Sequence, residues 1–162
     1  MKDGTKEPFF PSVSGTNLEG KKYKLPNDLE GILNIVIVIF RREHTDLVEG
    51  WLHSAKNIFE KEAQVRFYEI PVLSLSYSPF RWWIDGGMRA GIPDHEAREK
   101  TITVYTSKKD LRKRLGILNE ETIYIFLVKS DGTVLWRDQG RFTGEKFQKL
   151  QDAVEEAKIK QA

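Results

Sequence analysis

The chain contains no cysteine in its 162 residues. That absence removes disulfides, thiolate nucleophiles, iron–sulfur ligation and cysteine-based zinc sites together. It also removes the usual indicator of redox compartment. Histidine is scarce as well, with three residues in all. None of His44, His53 and His95 is spaced to put two ligands on one helical face, so no metal site and no cofactor is expected. No apolar run approaches the ~20 residues needed to span a bilayer. The longest, Ile35 to Phe40, has the length of a strand. The opening residues, MKDGTKEPFF, lack the apolar core of a signal peptide. A soluble, cytoplasmic protein is expected unless a leader has been removed.

What is present describes one globular domain over 1–162, since 40% hydrophobic and 31% charged residues suit a packed core and a solvated surface. Charge of neither sign dominates: 26 basic side chains face 24 acidic ones. Basic and acidic residues alternate instead of forming a stripe, which argues against nucleic acid as a partner.

Short extended pieces and turns open the chain, with a hairpin expected around Glu19-Gly20. Ile32 to Phe40 reads as a strand covered on both faces, because its apolar residues run consecutively. Thr45 is placed to cap the helix that follows, whose apolar stripe runs from Leu47 through Trp51 to Phe59. Val65 to Leu75 reads as a second strand, with Pro71 suggesting an edge or a bend. Tyr77 to Pro93 is part helix and part loop. A short strand over Thr101 to Tyr105 and a short helix over Ser107 to Leu115 follow, the latter stopped by Gly116. Thr122–Val128 and Thr133–Trp136 pair around Asp131-Gly132. The last helix, from about Thr143 to Lys160, turns Phe147, Leu150, Val154 and Ala157 inward. The order predicts an α/β fold: a thioredoxin-like three-layer α/β/α sandwich with an N-terminal hairpin and a helical insert.

Further residues carry a resemblance in the same direction. Phe10-Pro11, Gly15, Leu18, Gly20-Lys21, Leu25-Pro26, Asp28-Leu29 and Gly31 fit a pattern that continues with Phe40-Arg41, Trp51 and Gly91-Ile92-Pro93. Arg112, Leu115-Gly116, Tyr124, Leu127, Asp131-Gly132, Trp136 and Gly140 complete it. The chain resembles the mitochondrial ATP-synthase assembly-factor family, assembly factor ten. That resemblance implies a thioredoxin fold and a chaperone role in assembly without catalysis. It supplies no catalytic residue, and none is assigned.

Two segments are candidate sites. In a redox-active relative, two cysteines would begin the helix after the central strand; here Thr45 and Val48 take those positions. The proline that would face them is absent from Asn119–Ile123. Arg41, Arg42, His44 and Thr45, with Thr122, stand at the carboxyl end of the central strand, the edge where open α/β sheets bind ligands. They are the candidates for gripping a small anion or a glutathione-like ligand; a solvated Arg–Glu surface is the plainer reading. The second segment holds Phe80, Arg81, Trp82, Trp83, Met88 and Arg89. Trp and Arg dominate binding hot spots, so these are the candidates for binding a partner protein. A peripheral rest on a membrane is also compatible with them. Alternatively, Phe80 and one indole cover the sheet. Lys108 to Arg114 reads as a solvated basic face.

Overall fold

The computed structural model describes residues 9–161, and the expectation for the first eight residues lies outside them. Seven strands form one sheet in the order β2-β1-β5-β4-β3-β6-β7. The first two, β1 (Val13–Asn17) and β2 (Lys22–Leu25), make the predicted N-terminal hairpin, with Gly20 at φ 91° in its turn. Asn17 stabilises that turn, its Oδ1 accepting from the backbone N–H of Glu19 and of Lys21. The central strand β3 (Leu33–Ile39) is buried along its whole length, because helices cover both faces. A 3₁₀ turn (Arg42–His44) leads into α1 (Thr45–Phe59).

The next strand, β4 (Val65–Ser74), runs parallel to β3 and to β5 (Ile102–Thr106). It is an interior strand, contrary to the edge position Pro71 suggested. The proline is tolerated because it falls in a gap of the β4–β5 ladder, between the Glu69–Thr101 bridge and the Val72–Val104 pair. Between β4 and β5 the chain inserts a 3₁₀ helix (Leu75–Phe80), α2 (Arg81–Gly91) and α3 (His95–Glu99). After β5, α4 (Lys108–Leu115) is capped by Ser107 and, as expected, ended by Gly116, which lies in the left-handed region. The hairpin of β6 (Tyr124–Lys129) and β7 (Val134–Gln139) turns at Asp131-Gly132. Finally α5 (Gly144–Gln161) starts at Thr143, whose hydroxyl accepts from the Lys146 N–H.

Two apolar clusters lie on opposite faces of the sheet. One joins Phe10, Val36, Tyr68, Ile102, Val104, Leu111 and Phe126. The other packs α1 and α5 on β3, β4 and β6 through Ile35, Ile37, Trp51, Phe67, Leu127 and Leu150. These are the three layers the sequence predicts. The second cluster stops short of the β4–β5 half of its face. There the strand alternation that buries Tyr68, Ile70, Ile102 and Val104 on one side turns Glu69, Thr103 and Tyr105 to the other. That half of the face mixes Glu69, Thr103 and Tyr105 with Pro71 and Leu73 of β4, and it receives the insert.

Candidate functional site

Hydrogen bonds tie the insert to this half-face. From β5, Tyr105 donates its hydroxyl to Asp85 Oδ1 at 2.7 Å, and Thr103 donates to Oδ2 at 3.1 Å. The Arg81 guanidinium lies over the Tyr105 ring, 4.8 Å from its centroid. Burial, reinforced by the adjacent Asp85 charge, pushes the Tyr105 phenol well above its usual range, so it remains a proton donor. A second carboxylate holds the far end of the insert. Glu19, in the β1–β2 turn, is only 17% exposed and accepts from Arg98 Nε at 2.7 Å. His95 Nδ1 lies 2.8 Å from it and Arg89 Nη2 3.3 Å. The Arg98 hydrogen bond keeps Glu19 ionised below the usual carboxylate range against some burial, with His95 and Arg89 adding to the effect.

The side of α2 that meets the sheet combines Asp85 with Ile84 and Met88, and the indoles lie on the other side. No residue of the 3₁₀ helix or of α2 is buried. Trp82 is 80% exposed and Trp83 70%, and Leu75, Tyr77 and Phe80 are exposed beside them. The reading in which Phe80 and an indole cover the sheet is therefore overturned. Helical period explains the division: Ile84, Asp85, Met88 and Ile92 are the half-covered, inward positions, and Trp82, Trp83, Gly86, Gly87 and Ala90 point outward. Of the six candidate partner residues, Phe80, Trp82 and Trp83 share the open surface. Arg81 and Arg89 are exposed but engaged with Tyr105 and Glu19, and Met88 leans toward the sheet.

At the carboxyl end of β3, Arg41, Arg42 and Thr45 are exposed and His44 is half-buried. Thr45 does not cap α1. It is the first helical residue, and its hydroxyl donates back to the Arg42 carbonyl at 2.7 Å. His44 takes the capping position without a side-chain cap bond, and its Nδ1 is buried with no protein partner. Thr122 lies just before β6 and is half-buried. Two cavities, of about 380 and 270 Å³, open elsewhere. The larger lies between α1 and α5 and the smaller between α1 and α3; Arg41, Arg42, His44, Thr45 and Thr122 line neither.

Val48, the second of the two thiol-equivalent positions, is buried in the core. Nearby, Lys108 donates to the Phe40 carbonyl at 3.2 Å and pairs with Glu120, as Arg112 also does. The α4 run is thus a bonded network at Lys108 and Arg112, not the uniformly solvated face its composition suggested. Sequence reasoning missed Asp85, Glu19 and Glu120, which hold these elements together. Their partners lie 18 and 20, 79 and 76, and 8 residues away in the chain, beyond the reach of a local pattern.

Glu69 was missed for the same reason. It points to the α1 face of β4, where burial, with the Glu49 charge second, raises its carboxyl to about 7. Among the described residues no group of three or more potential metal ligands occurs, and no helix is long and apolar enough to cross a membrane.

Comparison with known proteins agrees with this architecture. The ATP10 protein family matches residues 4–156. No curated protein matches significantly. Among solved structures, BsSco, a member of the Sco family of cytochrome c oxidase assembly proteins, superposes with a TM-score of 0.61 at 14% identity over 92% of this chain and 93% of its own. A putative electron transfer protein from Aquifex aeolicus VF5 gives 0.61 at 13% identity, over 91% and 94%. A putative thiol:disulfide interchange protein DsbE from Chlorobium tepidum gives 0.56 at 15%, over 94% and 96%. At these identities the likeness is one of fold, and the fold is thioredoxin-like.

Proposed function

The chain belongs to the ATP10 protein family, and from that premise we propose that it is a redox-inactive, non-enzymatic binding protein that escorts a partner polypeptide during ATP-synthase assembly. The observation that carries this reading is the open aromatic face of the insert. Burying one large apolar side chain gains about 1.5–3 kcal/mol. The fold forgoes that gain at Trp82 and at Trp83 while tethering their helix from behind. Such a patch on a protein without thiols serves binding, not electron transfer. Thiol–disulfide exchange needs an attacking thiolate, and Thr45 and Val48 offer a hydroxyl and a buried isopropyl group.

The test is co-purification under crosslinking from the native organism. A specific client recovered with wild type and lost with Trp82→Ala/Trp83→Ala is the expected outcome. Intact function of that double variant, with no client recovered by either protein, refutes it.

A second reading has one observation in its favour. The unpartnered Nδ1 of His44, beside Arg41 and Arg42 at a helix N-terminus, suits a small anion or glutathione-like ligand. Thermal shifts with glutathione or phosphate separate the two readings, because a binder of polypeptides alone gives none.

A further inference from the structure

The apolar surface left open by the insert is close in size to one side of an interface. Leu75, Tyr77, Phe80, Trp82 and Trp83 are each more than half exposed, and an aromatic side chain carries about 150–250 Å². Together they leave on the order of 600 Å² of side chain in water. That is the upper end of what monomeric proteins expose in one patch, about 300–600 Å². Two copies set face to face would cover about 1,200 Å², the lower bound of the range for specific interfaces.

The patch is also uncharged. Leu75–Gly91 contains three charged residues, Arg81, Asp85 and Arg89. Arg81 lies over Tyr105, Asp85 accepts from Tyr105 and Thr103, and Arg89 pairs with Glu19. A contact between identical copies sets each residue near the two-fold axis against its own like, and like charges so placed repel. An uncharged patch is compatible with that symmetry, and it has no sign by which to select a different partner.

The relief of the helix complements itself. Both indoles lie in the first turn of α2, and Gly86, Gly87, Ala90 and Gly91 follow them on the same side. A Cβ added at any of the three glycines meets no neighbouring atom within 4 Å, so the hollow is open. Laid antiparallel on a second copy, with the axis beside Gly86-Gly87, the rings of each helix fall over the Ala90-Gly91 end of the other. From the area, the neutrality and this relief we infer that the free protein forms a two-fold dimer through the outward face of α2, and that a client polypeptide displaces the second copy. The displacement rests on the docking role proposed above; the dimer does not.

Light scattering of the full chain over about 1–500 µM is expected to show a reversible rise toward twice the monomer mass, since an interface of this size without ion pairs binds weakly. Trp82→Ala/Trp83→Ala is expected to stay monomeric throughout. Gly87→Leu fills the hollow and is expected to raise the dimer Kd about tenfold or more, without lowering Tm. A surface that is merely sticky would associate more strongly with a leucine added. Because the chain has no cysteine, Gly86→Cys is expected to oxidise to a disulfide between copies, and Ile159→Cys, exposed on α5, is not. The oxidised Gly86→Cys dimer should fail to recover the crosslinked client and should regain it on reduction.

Monomer at every concentration overturns the dimer, whether the face is then filled by a client or by phosphatidylcholine–phosphatidylglycerol vesicles that shift the tryptophan emission to the blue. So does self-association that survives loss of both indoles, tightens with Gly87→Leu, or links through Ile159→Cys as readily as through Gly86→Cys. Client recovery by the oxidised dimer overturns the displacement. A wild type that stays monomeric and recovers its client through the indoles removes the dimer alone. A dimer lost with the indoles while the client is still recovered removes the docking role and leaves the dimer standing.

Discussion

Tyr105 donates its hydroxyl to Asp85 across 2.7 Å, and this bond holds the inward side of helix α2 on β5. The sheet offers α2 the hydroxyls of Tyr105 and Thr103, and the helix turns its carboxylate toward them and its indoles outward. Replacing Asp85 by Ala leaves the Tyr105 and Thr103 hydroxyls without their acceptor. About 2 kcal/mol of local opening free energy should be lost. Amide exchange across Arg81–Gly91 should quicken, while β3 and β6 keep their protection. Unchanged exchange in α2 would remove the tether from the account.

The two exposed indoles should be dispensable for folding. Trp82→Ala/Trp83→Ala is expected to leave unfolding free energy within about 0.5 kcal/mol of wild type. Most of the acrylamide-accessible tryptophan emission should vanish with them, since Trp51 is buried and Trp136 half-covered. A large loss of stability in urea titration would mean that the rings pack on something after all.

Trp51 makes the opposite prediction. It fills the core between α1 and the β6–β7 hairpin, meets Phe142 edge-on and Trp136 at a tilt, and donates Nε1–H to the Gly140 carbonyl at 2.9 Å. Trp51→Ala should cost about 3–5 kcal/mol. Trp51→Phe should cost about 1–2 kcal/mol, chiefly through the orphaned carbonyl. Urea midpoints measure both, and equal losses for the two variants would contradict the role given to the indole N–H.

Stability should fall as pH rises through neutrality, because of Glu69. In the folded protein its carboxyl holds a proton up to about pH 7, against 4.5 for an unperturbed group. Between those values the folded state binds more protons than the unfolded one, so raising the pH favours unfolding. The contribution is fully present below pH 4.5 and is lost as pH rises toward and past 7. Its full size is about 3 kcal/mol. Glu69→Gln should flatten the dependence of the urea midpoint on pH between 5 and 8 and stabilise the protein at pH 8. An identical slope in wild type and variant would exclude Glu69 as its source.

Much of the scaffold was legible in the chain itself. The consecutive apolar residues of Ile35–Ile39 could only be a strand covered on both faces. Gly116 and Asp131-Gly132 punctuated the chain where they stood, because capping and turn chemistry act over a few residues. Thr45 misled because a 3₁₀ turn precedes α1 and moves the cap to His44. Pro71 misled because a ladder with a gap accommodates a missing donor inside a sheet. The candidate site was half legible: its aromatic and basic residues were identified, but not the side of the helix they occupy.

Composition alone determined that no thiol chemistry is available, since folding cannot supply an atom the chain lacks. In the sequence, Tyr77–Pro93, where α2 forms, reads only as part helix and part loop. Which face meets water was decided only in three dimensions, because an amphipathic pattern is satisfied by either an apolar or a polar neighbour. Here the neighbour is the Thr103–Tyr105 side of β5, brought against Asp85 by the pairing of β4 with β5. The same assembly places Glu19 against Arg98 and brings the half-buried Glu69 near Glu49 of α1. Each of those contacts spans a distance in sequence that no local preference can encode.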